Sequence, residues 1–193
     1  MDLKKLYLLD KIKRLFPEYK LSINTDKLDN NNLVSKINKI LDITEQNQPP
    51  KASFSLCVET YGKNHIVSNS YSSLSKDNII QAISNDMNTT ISFHTDIDIY
   101  VTWKWIFYLP EQNIYKFSLN TIRFFHSVFC ERRLNFDTEI ITSNLETLQT
   151  LTEKIIQNIA KYEILVLLKG NLTKNQRYDI SKIVKNIINE YKS

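Results

Sequence analysis

The stretch Phe93-His-Thr-Asp-Ile-Asp98 holds the densest set of chemistry-bearing residue types in this chain. On an extended backbone His94, Asp96 and Asp98 share parity, so all three project from one face at roughly 6–7 Å intervals. Carboxylates at i and i+2 are how one divalent ion is held between neighbouring side chains, in nucleotidyl transfer for example. The competing reading is a polar turn before a strand that begins near Ile97. No glycine-rich phosphate loop precedes the stretch, and no further carboxylate joins it, so the turn is the better reading. A metal-dependent enzyme centred on His94, Asp96 and Asp98 is kept as the last of three functional readings, with no metal or cofactor expected.

Other catalytic patterns are absent. The three histidines and two cysteines lack zinc spacing. His126 lies near Ser127 and Cys130, but a chain of this size offers such neighbours by chance. Glu18 with Lys20 and Glu190 with Lys192 match the end of a nuclease E-x-K, yet both fall at helix ends. Gly62 and Gly170, the two glycines of 193 residues, stand far apart. A phosphate loop, a dinucleotide fingerprint or a nucleophile elbow each needs closely spaced glycines where the backbone turns or approaches a phosphate. The chain reads more as a binding protein than as an enzyme, and the question stays open at this point.

Binding surfaces are the remaining option, and the aromatic stretch Asp98-Ile-Tyr-Val-Thr-Trp-Lys-Trp-Ile-Phe-Tyr-Leu-Pro110 is where to look. From Ile97 to Leu109 the odd positions are apolar and the even positions are mostly polar, the alternation of a half-buried antiparallel strand. Trp103 and Trp105 should point into a core, and Tyr100, Lys104 and Tyr108 should share the other face with Lys116 nearby. We take Tyr100, Lys104, Tyr108 and Lys116 as the partner-binding set of a protein-docking module. Inhibitors, immunity proteins and antitoxins are compact domains of this kind, because a docking patch needs no fixed motif. The alternative partner is nucleic acid, held by stacking and cations on the same strand face. Lys104, Arg132, Arg133, Lys174, Arg177 and Lys185 would carry that role.

The net charge of +4 comes from 25 basic against 21 acidic residues, too mild an excess to decide between these partners. It does argue against a basic nuclease as the inhibited target. Cys57 and Cys130 sit in apolar strand-like runs without a disulfide framework, and no apolar run approaches the ~20 residues of a membrane span. A cytoplasmic protein with no membrane partner is expected. Oligomeric state is not legible.

The elements that must position these residues follow from periodicity. Apolar spacing predicts a helix over residues 2–16, capped by Asp2 and stopped by Pro17. A second helix starts in the Asn-rich stretch 30–32 and carries Leu33, Val34, Ile37, Ile40 and Leu41. Residues 45–51, with Pro49 and Pro50, form a linker. Beyond it the period changes to two. Residues 52–60 and 63–71 read as a hairpin with Tyr61-Gly62-Lys63-Asn64 as the turn, followed by a helix over 76–87 capped by Ser75, with Ile79, Ile80, Ile83 and Met87. The strand after Pro110 should return with 109 opposite 115 and 107 opposite 117, an odd-length connection, unless a bulge intervenes. Residues 121–133 fit a helix or a strand, and β-branched and aromatic density favours strand. Ser143 to Glu146 and Thr173 to Gln176 read as capping boxes opening two helices. Residues 162–169 either prolong the first of these to Gly170 or form a buried strand. The expected architecture is α+β in a single domain over residues 1–193. A mainly antiparallel sheet of about four to six strands spans residues 52–142. A helical piece (1–44) precedes it, the helix over 76–87 lies within it, and a helical region (143–193) follows, with helices on one sheet face.

Overall fold

The computed structural model describes residues 2–18, 28–46, 50–61, 66–71, 73–84, 88–127 and 130–192. In chain order these form α1 (Leu3–Leu15), α2 (Asn31–Glu45), β1 (Ala52–Tyr61), β2 (Ile66–Tyr71), α3 (Lys76–Ser84), β3 (Asn88–Thr95), β4 (Ile99–Leu109), β5 (Ile114–Ser127), β6 (Cys130–Thr142), α4 (Leu145–Lys169) and α5 (Lys174–Asn189). The strands make one six-stranded antiparallel sheet in the order β2-β1-β3-β4-β5-β6. The class is α+β, and the sheet fills the span that the alternation marks out.

Local chemistry explains most helix ends. The Asp2 carboxylate accepts from Lys4 N, and Asn30 accepts from Asn32 N and Leu33 N. Ser75 Oγ accepts from Asn78 N at the start of α3. Thr173 and Gln176 form a reciprocal capping box on α5. The box expected from Ser143 to Glu146 does not form. Asn144 is the N-cap instead, its side-chain oxygen accepting from Glu146 N at 2.9 Å, while Thr142 Oγ1 holds Asn144 N at 3.0 Å. Residues 162–169 continue α4 to Gly170, whose left-handed φ of 75° turns its N–H onto the Val166 carbonyl. Their period is hidden because Tyr162 to Leu168 are all buried: the helix runs between the sheet and α2. Met87 and the expected turn at residues 62–64 lie outside the described residues.

One core takes side chains from every helix and from β1, β3, β4, β5 and β6. Phe16, capping α1, meets Tyr162 of α4 edge-on at 6.4 Å, and α2 buries Ile37, Ile40 and Leu41 against α4. The N-terminal helices thus share one core with the sheet. Residues 121–127 and 130–133 are strand as preferred, at the end of β5 and the start of β6; residues 128 and 129 lie outside the described residues. β3 covers Asn88–Thr95, so the strand that the alternation leads one to expect only from Ile97 is preceded by another, and His94-Thr95 belongs to it and not to a turn.

The face of β4 needs one correction. Ile99, Val101, Trp103 and Trp105 point into the core and Lys104 points out, as the alternation predicts. Beyond Trp105 the phase changes. Trp105 pairs with Phe117 but Phe107 pairs with Lys116, so Ile106 is an extra residue, a β-bulge. Tyr108 then lies opposite Tyr115 on the core side, and Leu109 pairs with Ile114 across a four-residue connection, 110–113. The bulge absorbs the parity that otherwise requires an odd loop. Tyr108 thus leaves the face of Tyr100 and Lys104 to stack on Tyr115 at 4.6 Å, beside Trp105 at 6.3 Å. Burial, and then Tyr108, push the Tyr115 hydroxyl up to about 12.

Candidate functional site

The described helices pack on the sheet face that carries Trp103, Phe117 and Ile140, and the opposite face is open. Antiparallel register lines up its side chains in rows across strands. In one row His94 of β3 lies opposite Tyr100 of β4, Tyr100 opposite Arg123 of β5, and Arg123 opposite Arg133 of β6. The His94 ring stacks on Tyr100 at 5.5 Å and 23°, and the Arg123 guanidinium lies 5.7 Å from the Tyr100 centroid. A cation over an aromatic face is held by the ring quadrupole. The next row, Ser92, Thr102, Thr121 and Asn135, is small and polar. The Thr102 hydroxyl there has no partner among the described residues. Lys104, Ser118 and Glu139 follow in a third row.

The far end of this face is apolar. Phe107 and Ile141 flank Lys116 in register, and Leu109 and Ile114 lie one row further out. Phe107, Leu109 and Ile141 keep 38%, 40% and 44% of their surface exposed. Lys116 lies along this patch, its ammonium 5.3 Å over the Phe107 ring and 2.8 Å from the Glu139 carboxylate. Its stem covers apolar surface while its charge is satisfied.

Of the residues expected to bind a partner, Tyr100, Lys104 and Lys116 share the open face; Tyr108 does not. The six residues of the nucleic-acid set are not brought together. Lys104 and Arg133 stand on the open face. Arg132 turns to the helical side, its Nε donating to the Gly170 carbonyl at the end of α4. Lys174, Arg177 and Lys185 belong to α5. Sequence reasoning missed Arg123, Phe107, Leu109 and Ile141. Arg123 was visible as a lone charge in an apolar run, but its place beside Tyr100 needs the register.

His94, Asp96 and Asp98 do not form one constellation. His94 lies on the open face one residue before the end of β3, whereas Asp96 and Asp98 occupy the turn into β4, with Asp98 at a left-handed φ of 65°. Asp96 pairs with Lys39 and Asp98 with Lys36, both on α2. Lys36 also reaches a carboxylate that belongs to no sequence motif: Glu163 of α4, wholly buried, lies 3.2 Å from its ammonium. Neither Glu163 oxygen receives a well-directed hydrogen bond among the described residues. Burial pushes its pKa up to about 8, Lys36 opposes this, and Asp98 and Asp96 add to it. The signal was a single acid inside the apolar run Tyr-Glu-Ile-Leu-Val-Leu-Leu. No group of three or more metal-ligating side chains occurs among the described residues. His126, Ser127 and Cys130 have no described side chains.

The fold and this face define an α+β domain with helices on one side of a six-stranded antiparallel sheet and a mixed apolar and cationic surface on the other. Compared with known proteins, the chain finds no match among family models, curated sequences or solved structures. No described helix is long and apolar enough to cross a membrane.

Proposed function

We propose that this chain is a non-catalytic module that docks on another protein through the open face of its sheet. The observation that carries the reading is the set of exposed apolar side chains Phe107 and Leu109 of β4 and Ile141 of β6, gathered on one face around the Lys116 stem. Single exposed apolar side chains are ordinary, but a cluster flanked by charged and aromatic residues has the anatomy of a binding hot spot and its rim. Tyr100, Lys104 and Arg133 fit a partner whose acidic groups surround an apolar anchor. Inhibition of a target, as by an immunity protein or antitoxin, is one use of such a face. We place the activity in the cytoplasm, on a sequence with two cysteines and no disulfide framework.

The test compares the wild-type chain with Phe107→Asp and Ile141→Asp as baits in host extract, followed by affinity measurement on the purified partner. Both positions are exposed, so the variants should fold with unchanged circular dichroism. Loss of about tenfold or more in affinity is expected, since a buried charge replaces an anchor. A captured partner that binds both variants as well as wild type removes the reading.

Nucleic acid is the second reading, favoured by the His94, Tyr100, Arg123 and Arg133 row. Single strands bound there should be released steeply as salt rises, because counterions reclaim the phosphates. Docking on Phe107 and Ile141 should change little with salt. Binding of single-stranded RNA at physiological salt that Lys104→Ala abolishes would put this reading first.

A further inference from the structure

β6 ends the sheet: its strand neighbour among the described residues is β5. An edge strand presents a row of N–H and C=O groups outside the ladder. Beside this edge lies a groove of about 560 Å³, walled by Asp137, Thr138, Glu139 and Ile141 of β6 and by Lys185, Asn189 and Lys192 at the end of the chain. α5 buries Ile180, Val184, Ile187 and Ile188, so the exposed Lys185 and Lys192 line the groove from the helical side. Glu139 and Ile141, in register with Ser118 and Lys116, line it from the open-face side.

We propose that an extended segment of a partner protein, with carboxylates on one row and basic or aliphatic groups on the other, adds to β6 as a further strand seated in this groove. Successive side chains of a strand point to opposite faces. One row of the added strand meets Lys185 and Lys192 and carries carboxylates. The other row meets Asp137, Glu139 and Ile141 and carries basic and aliphatic groups. The backbone ladder supplies affinity, and the two rows set register. A second copy of this chain is the poorer occupant. Two-fold pairing of β6 with itself brings α5 toward its own copy, setting Lys185 and Lys192 against like charges. The groove shares Ile141 with the open-face patch but not Phe107 or Leu109, so Phe107→Asp tells the two surfaces apart.

The probe is a short synthetic peptide in which Glu alternates with Lys and Val, read by amide NMR and hydrogen exchange. Binding should protect backbone amides within residues 137–141. N-methylation of one backbone edge of the peptide should abolish binding, and of the other edge should not. Lys185→Glu with Lys192→Glu, both at exposed positions, should weaken binding by about tenfold or more. Phe107→Asp should leave it unchanged. The proposal is overturned if the peptide does not bind, if charge reversal has no effect, or if the chain alone sediments as a dimer protected at residues 137–141.

Discussion

The indole N–H of Trp103 donates to Thr152 Oγ1 across 2.8 Å, joining the middle of β4 to α4 where both side chains are fully buried. Thr152 Oγ1 in turn donates to the Leu148 carbonyl at 2.8 Å, so the hydroxyl is spoken for on both sides. Thr152→Val keeps the volume and removes the acceptor. A buried indole donor left unpaired should destabilise the fold by about 1–3 kcal/mol. Urea melts measure this, and an unchanged midpoint would mean that the indole finds another acceptor.

Glu163 should make stability depend on pH. Its folded pKa of about 8 lies above the ordinary 4.5, so the folded chain keeps a proton that the unfolded chain releases. Stability therefore falls as pH rises from about 4.5 toward 8 and levels off beyond. The slope is on the order of 1 kcal/mol per pH unit. Glu163→Gln carries no titrating group, so it should flatten that window and be the more stable chain at pH 8. Denaturant melts of both chains across this range decide it; parallel curves would show that Glu163 titrates as an ordinary carboxylate.

At Asp98 backbone and charge can be separated. Its φ of 65° strains any side chain with a Cβ, while its carboxylate pairs with Lys36. Asp98→Ala and Asp98→Gly both lose the pair, so their difference reports the backbone alone. Asp98→Gly should be the more stable by about 1 kcal/mol, partly offset by glycine's freedom in the unfolded chain. Thermal melts provide the comparison. Added Mg²⁺ or Mn²⁺ should shift wild type no more than either variant, and a shift confined to wild type would restore the metal reading.

Ile106 should be dispensable. It is the extra residue in β4, exposed at 39%, and its removal leaves Trp105, Phe107, Tyr108 and Leu109 in unbroken alternation on their present faces. A chain lacking Ile106 should keep its stability within about 1 kcal/mol, as for surface changes. Deleting Phe107 instead should cost the same or more. Near-ultraviolet circular dichroism, dominated by Trp105, Tyr108 and Tyr115, should be retained in the Ile106 deletion. Its loss would mean that the bulge sets the aromatic packing.

Much of this fold was legible from neighbours along the chain. Period-two alternation placed Trp103 and Trp105 inside and Lys104 outside, because successive strand side chains must point to opposite faces. Asp2, Ser75 and Thr173 marked helix starts, because an unpaired backbone N–H takes the nearest side-chain oxygen. Three things needed the assembled structure. The bulge at Ile106 moved Tyr108 into the core, since one added residue reverses every face beyond it and leaves no mark on composition. The row of His94, Tyr100, Arg123 and Arg133 exists through the register of four strands, which is set by contacts distant in sequence. Glu163 became a buried, proton-holding group when α2 packed on α4 and brought Lys36 to it. Local chemistry writes period and caps into the sequence; register and burial arise where distant segments meet.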